Sequence, residues 1–386
     1  MKKREVYLDY AATTPVDPRV IKAMEPYWGK FIGNTMSLHS RGQKVSAAVE
    51  KAREVIAKFI GAKTDEIIFT GSATESNNLA VKGVTEANLS KKKILISSVE
   101  HDCVVESAKW LAGKGYEIKE IPVNREGLID FEWLERELSE EILLVSVIHG
   151  NNEVGTIQDI GRIGSVCREK GVLFHTDASQ SFDKVPIDVK EMKIDLLTAS
   201  SHKIYGPKGV AILYVRNGVA INPILHGGGH EGGLRSSTVN VPAIVGMGKA
   251  VEISRKVEKS ESRKVRKLRD KLIKGILSRV EDCWLNGDIN NRLSNNVNIS
   301  FGRVEGEGLL LELDRRGISS STGSACSSRS LEPSHVLLAM GLTAPEAHGS
   351  IRFSLGRWTT EAEINYVLKV VPEVVKKLRK ISPFKK

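Results

Sequence analysis

Six short, nearly continuous apolar runs, separated by helix-like stretches, set the narrowest limit on how this chain can fold. They are "EIIFT" ending at Thr70, "KILISSV" ending at Val99, "ILLVSVI" ending at Ile148, "GVLFHT" ending at Thr176, "IDLLTAS" ending at Ser200 and "GVAILYV" ending at Val215. Strands with no polar alternation are covered on both faces, and crossover helices do the covering. The pattern therefore predicts an α/β domain on a mainly parallel central sheet. One such helix is expected over 44–60, where Val45, Val49, Ala52, Val55, Ile56 and Phe59 share a side. From about residue 255 the order changes. A basic helix, "NRLSNNVNISF", "EGEGLLLELDRRGI", "SIRFSL" and a last amphipathic helix over 361–379 read as a smaller α+β domain. The expected division is a large domain over 14–254 and a small domain over 255–386 that also takes in residues 1–13.

At 386 residues, 41% hydrophobic and 27% charged, the chain is long enough for two cores. The opening "MKKREVYLDYAATTPV" has basic residues with no apolar stretch behind them, and no apolar run is long enough to span a bilayer. A cytoplasmic protein without a membrane partner is expected. The four cysteines, Cys103, Cys167, Cys283 and Cys326, form no C-x-x-C pair and no zinc spacing, which fits free thiols in a reducing compartment. The first three read as small buried hydrophobes. Much of the net charge of +10 lies in "RKVEKSESRKVRKLRDKLIK", residues 255–274, where Val257, Val265, Leu268, Leu272 and Ile273 recur near helical spacing. A solvated helix with a buried stripe is preferred there to an RNA-binding face. Acidic residues interrupt the patch and no aromatics interleave it, so no direct nucleic-acid binding is expected.

The segments after the strands carry the chemistry. In chain order they are "GSATESNN", Glu100-His101, "HGNNE", "DASQ" and "SHK". Ligands of open α/β sheets bind at the carboxyl ends of the strands, so five polar clusters at one edge predict a binding site. In "SSHKIYGPKG", Lys203 comes just after a strand end. Desolvation there disfavours the ammonium and frees the amine to attack a carbonyl as a Schiff base. Asp177 lies 26 residues upstream, one βα unit earlier. A carboxylate at the end of a buried strand needs a cationic partner, and the protonated ring nitrogen of pyridoxal 5′-phosphate (PLP) is one. Gln180 could donate to the phenolic oxygen of that ring. "TGSATES" comes after a strand and opens a helix, which suits a phosphate, with Thr74 adding a hydroxyl and Ser200 and His202 expected to contribute from a neighbouring strand. The plainer readings are a turn lysine at Lys203, a helix N-cap at Asp177 and an ordinary Gly-Ser turn with an S/T-x-x-N cap in "TGSATES".

Taken together, "YLDYAATTPVDPRV", "ATESNNLA", "SVEH", "HGNNEVG", "DASQS", "SSHKIYGPKG", "GGGHEGGLRSST", "STGSACSS", "LEPSHVL" and "IRFSLGR" resemble cysteine desulfurases of the IscS/NifS type, nearly end to end. These are PLP enzymes of the class V aminotransferase family. The resemblance implies the aspartate aminotransferase-like fold of PLP-dependent transferases and assigns roles by position. Lys203 matches the lysine that carries the cofactor, Asp177 the partner of its ring nitrogen and Gln180 the ligand of its phenolic oxygen. His101 matches the histidine stacked on the ring, a candidate proton shuttle. Ala73, Thr74, Ser200 and His202 match phosphate ligands, and Asn152 a residue near ring and substrate. Arg352 matches the clamp on the substrate carboxylate. Thr238 matches a threonine that reaches the phosphate of the other subunit, which implies a homodimer.

One thiol stands apart. Cys326 lies in "GISSSTGSACSSRSLEPSH", whose small polar residues suit a loop able to move. It matches the catalytic cysteine, which takes sulfur from L-cysteine as a persulfide and releases L-alanine. A loop of this length resembles those that hand sulfur to an iron–sulfur scaffold protein, with tRNA-thiolation acceptors as further recipients. The thiol could also serve as a temporary cluster ligand. The alternatives are a related class V enzyme such as a selenocysteine lyase, and a non-catalytic sulfur carrier or RNA-binding protein. The chain departs from the usual family pattern at Thr35-Met36, Gly71-Ser72, Gly150 and Ser237, positions expected near the cofactor.

Overall fold

The structure is a computed structural model that describes residues 5–323 and 332–382. Twelve strands are described. In chain order they are β1 (Val6–Tyr7), β2 (Ile67–Thr70), β3 (Lys93–Ser97), β4 (Glu117–Ile121), β5 (Ile142–Ser146), β6 (Leu173–Asp177), β7 (Leu196–Ser200), β8 (Ala211–Val215), β9 (Cys283–Leu285), β10 (Asn296–Phe301), β11 (Ile318–Ser319) and β12 (Ser350–Ser354). Seven form the large sheet, in the order β2-β8-β7-β6-β5-β3-β4. β8 alone runs opposite to the other six strands of that sheet, so the sheet is mainly parallel, as the apolar runs predict.

Adjacent residues of each strand feed opposite cores, because side chains alternate across a strand. Phe69, Leu95, Val145, Leu197 and Ile212 pack on one face with Val45, Ile56 and Met247. Ile68, Ile94, Leu144, Leu196 and Leu213 pack on the other with Leu79, Val104 and Leu111. Both faces are covered, so the strands need no polar alternation. The exception is β4, which the apolar pattern misses. It is an edge strand, with Glu117, Lys119 and Glu120 exposed, and charges on an edge discourage pairing with other chains.

A second core is built on β9, β10 and β12, an antiparallel sheet, with β1 and β11 pairing in parallel beside it. Val6 and Leu8 of the N-terminal segment belong to this core. The link between the cores is one helix, Val241–Leu277, of 37 residues. Ile244, Met247 and Val251 in its first half pack on the large sheet, and Val265, Leu268, Leu272 and Ile276 in its second half pack on the small one. The buried stripe expected in the basic segment is thus present, and the boundary expected at residue 255 falls inside a continuous helix. Two glycines let neighbours approach this rod. A Cβ on Gly248 would lie 2.8 Å from that of Ala52 in the helix Ser40–Phe59, and one on Gly275 would lie 2.5 Å from Leu368 in the helix Glu361–Ile381. Among the described residues, no helix is long and apolar enough to cross a membrane.

Candidate active site

The carboxyl ends of β2, β3, β5, β6 and β7 open into one cavity of about 450 Å³. Gly71 to Thr74 line it after β2, Glu100 to Cys103 after β3, and Asn152 and Glu153 after β5. Asp177, Ser179 and Gln180 line it after β6, and Ser200, His202 and Lys203 after β7. Arg352 reaches the same cavity from β12 of the small sheet, and Ala11 to Thr13 reach it from the N-terminal segment. Ten expected site residues, Ala73, Thr74, His101, Asn152, Asp177, Gln180, Ser200, His202, Lys203 and Arg352, are therefore brought together.

Lys203 sits in a single 3₁₀ turn that ends β7, and its Nζ donates to the carbonyls of Ala11 and Ala12. Asp177 is 4% exposed at the end of β6. Its Oδ1 accepts from Ser179 N–H at 2.8 Å and its Oδ2 from Asn77 Nδ2 at 2.7 Å. The carboxylate caps a turn, and no helix comes after it, so the helix N-cap reading does not hold. Gln180 Nε2 gives one hydrogen to Ala11 O at 2.8 Å. Ser72 caps the helix Ala73–Asn78 by accepting from Glu75 N–H. Ala73 and Thr74, first in that helix, have amides with no intrahelical acceptor. Arg352 is 2% exposed. Its Nη1 donates to Asn152 O at 2.9 Å and its Nη2 pairs with Asp9 at 3.2 Å, while Nε is buried without a partner.

Burial sets the charge states around the cavity. Glu100 is fully buried, and desolvation pushes its pKa up to about 8. The Asp177 charge adds to the rise, and hydrogen bonds from Ser97 and Ile148 oppose it. Glu153 is raised by burial as well, although its Oε2 accepts from Ser334 Oγ at 2.6 Å. His202 is lowered to about 4 by burial and by the nearby Lys203 charge, so it is neutral at pH 7, with Nδ1 3.2 Å from Thr13 Oγ1.

One expected residue lies elsewhere. Thr238 is exposed and lines an adjoining recess that shares Gly71, Gly209 and Val210 with the cavity. Cys326 lies outside the described residues. Several expectations need correction. Cys103 is not a buried hydrophobe. It lines the cavity, with Sγ 3.1 Å from His101 Nδ1. Cys283 is half-buried, and only Cys167 is fully buried among the described cysteines. Of the departures from the family pattern, Gly71-Ser72 lines the cavity, but Thr35-Met36, Gly150 and Ser237 do not. Gly150 has a local cause. A Cβ there would lie 3.0 Å from Leu293 and 3.2 Å from Ser181 Cβ. Sequence reasoning gave no role to Ala11, Ala12, Glu153 or His335, all in the lining. The small pair in "DYAATTP" is the one signal that could have flagged the first two.

Residues 6–367 match the family described as Aminotransferase class-V. The chain belongs to the class V aminotransferases. It is 50% identical over 384 residues to a Dictyoglomus turgidum protein named cysteine desulfurase IscS, covering 99% of this chain and 98% of that protein. A solved structure named NifS-like protein superposes with a TM-score of 0.91 at 38% identity, covering 97% of this chain and all of the other (100%). Another, described as SspA in complex with cysteine, gives 0.80 at 37% identity, covering 92% of this chain and 100% of that one. The class V cofactor is PLP. The residues fit it. An amine and a buried carboxylate face one cavity, small residues open a helix beside them, and Ser179 Oγ and Asn152 Oδ1 are buried in the lining without partners.

Proposed function

We propose that this class V chain is a cysteine desulfurase: L-cysteine and the Cys326 thiol give L-alanine and a Cys326 persulfide. The observation that carries the reading is that Lys203, Asp177, His101 and Arg352, drawn from both sheets, share one cavity. PLP, when bound, supplies an electron sink that makes the sulfur of the bound cysteine electrophilic. Lys203 holds the cofactor through its amine, and Asp177 holds the proton on its ring nitrogen. Gln180 has a second amide hydrogen for the phenolic oxygen. Ala73, Thr74, Ser200 and His202 take the phosphate. Arg352, whose Nε is unpartnered, takes the substrate carboxylate beside Asn152. His101 holds a proton for the reacting carbon. Cys326 thiolate attacks the substrate sulfur; the carbon–sulfur bond breaks, and the carbon is protonated to alanine.

The division into a large domain over 14–254 and a small one over 255–386 with residues 1–13 is supported by the change of core partway along the helix Val241–Leu277. The exposed Thr238 beside the cavity supports a homodimer in which it reaches the partner copy's phosphate. The protein is cytoplasmic, and the persulfide goes to an iron–sulfur scaffold protein, with tRNA-thiolation acceptors as further recipients. The direct test is a visible spectrum of the purified protein, followed by alanine and sulfide release from L-cysteine. A colourless protein that releases neither fails the reading, and faster turnover of selenocysteine than of cysteine replaces it with a lyase.

A further inference from the structure

Asn77 is 0% exposed and lies just behind the cavity wall. One hydrogen of its Nδ2 goes to Asp177 Oδ2 at 2.7 Å, and the other to Cys103 Sγ at 3.0 Å. Its Oδ1 is buried and has no partner. A buried acceptor left unpaired is costly, so its presence needs a cause. The reversed amide would set Oδ1 against a carboxylate oxygen, acceptor to acceptor. The Asp177 carboxylate therefore dictates the orientation, and both hydrogens are in use.

The chain of contacts continues to the histidine. Cys103 N–H donates to His101 Nδ1 at 3.2 Å, so Nδ1 is an acceptor and the ring proton sits on Nε2. Cys103 Sγ lies 3.1 Å from the same nitrogen. Cys103 therefore sets both its amide and its sulfur against Nδ1, and the Asn77 amide holds the sulfur there. One buried amide thus stands between the two groups that face the cavity from β3 and β6.

We propose that Asn77 is a positioning residue for the desulfurase reaction: it orients the Asp177 carboxylate directly and His101 through Cys103. The inference rests on the reading of Asp177 as the partner of the cofactor's ring nitrogen. Loss of the amide donor makes the Asp177 carboxylate a stronger proton acceptor, which would draw the ring-nitrogen proton toward it and weaken electron withdrawal from the Lys203 linkage. Arg352 is not touched.

The test uses holoenzyme and tracks the pH midpoint of its visible absorbance. Asn77→Leu keeps volume and removes both donors. It is expected to raise the midpoint by about one pH unit. It is also expected to lower kcat about tenfold while the KM for L-cysteine changes less than about twofold. Asn77→Ser keeps one donor without overpacking and is expected to give a smaller shift of the same sign. If Asn77→Leu does not fold, Asn77→Ser decides alone. Asp177→Asn is the control for the underlying reading. A wild-type midpoint in the Asn77 variants, with a shifted midpoint in Asp177→Asn, overturns the positioning role. An unshifted midpoint in Asp177→Asn overturns the reading of Asp177, and the Asn77 inference with it.

Discussion

Arg352 enters the cavity already half-engaged, by Asn152 O on one side and Asp9 on the other. Its unpartnered Nε and remaining hydrogens are what a carboxylate would use. Arg352→Ala is expected to weaken L-cysteine binding by ~1.5–3 kcal/mol, read from a titration of the visible spectrum, with cofactor still bound. Glu100 makes a different prediction. Its folded pKa of about 8 stands above the ordinary 4.5, so folding takes up a proton between those values and stability falls as pH rises through that window. Glu100→Gln should match wild type near the bottom of the window and melt progressively higher than wild type toward its top. A pH-independent difference would mean that Glu100 is ionised in the fold. At Gly150, a change to Val presses on Leu293 and Ser181 and is expected to cost ~1–3 kcal/mol in urea unfolding, with relief from Leu293→Ala. At this scale the sequence was legible in position: Lys203 and Asp177, read as strand-end residues one unit apart, line one cavity. It was not legible at Asn77, Cys103 or Glu153, whose contacts come from residues distant in the chain.

The strands were legible because burial on both faces leaves a continuous apolar run. β4 was hidden because its exposed edge position selects charge. Lys119, for example, pairs with Glu137 at 2.8 Å. The join between the two cores was expected near residue 255 from the change in element order, not from the helical pattern itself. Helical periodicity runs through Val241–Leu277 without a break, so nothing in the pattern marks where the partner sheet changes. Within this helix the apolar stripe, rather than the basic face, should matter. Leu272→Ala, at a fully buried position, is expected to destabilise by ~2–5 kcal/mol. Reversing the exposed Lys267 should change stability by no more than about 0.5 kcal/mol and leave desulfurase activity intact. A large loss of activity on charge reversal would give the basic face a function.

For the molecule as a whole, the cavity draws on both sheets and on the N-terminal segment, while the proposed nucleophile belongs to residues outside the described ones. Cys326→Ser should keep the visible spectrum and the response to cysteine but form no persulfide. Radioactive sulfur loaded on the wild-type chain should pass to an iron–sulfur scaffold protein. Label that leaves only as free sulfide would refute direct delivery while the desulfurase reading stands. The 37-residue helix has a consequence for how the protein comes apart. Each half is held by a different sheet, yet helical hydrogen bonds run through both, so melting one core strips support from the end of the other. Heating should therefore produce a single calorimetric peak, and Met247→Ala on one core and Leu272→Ala on the other should move that same peak rather than split it.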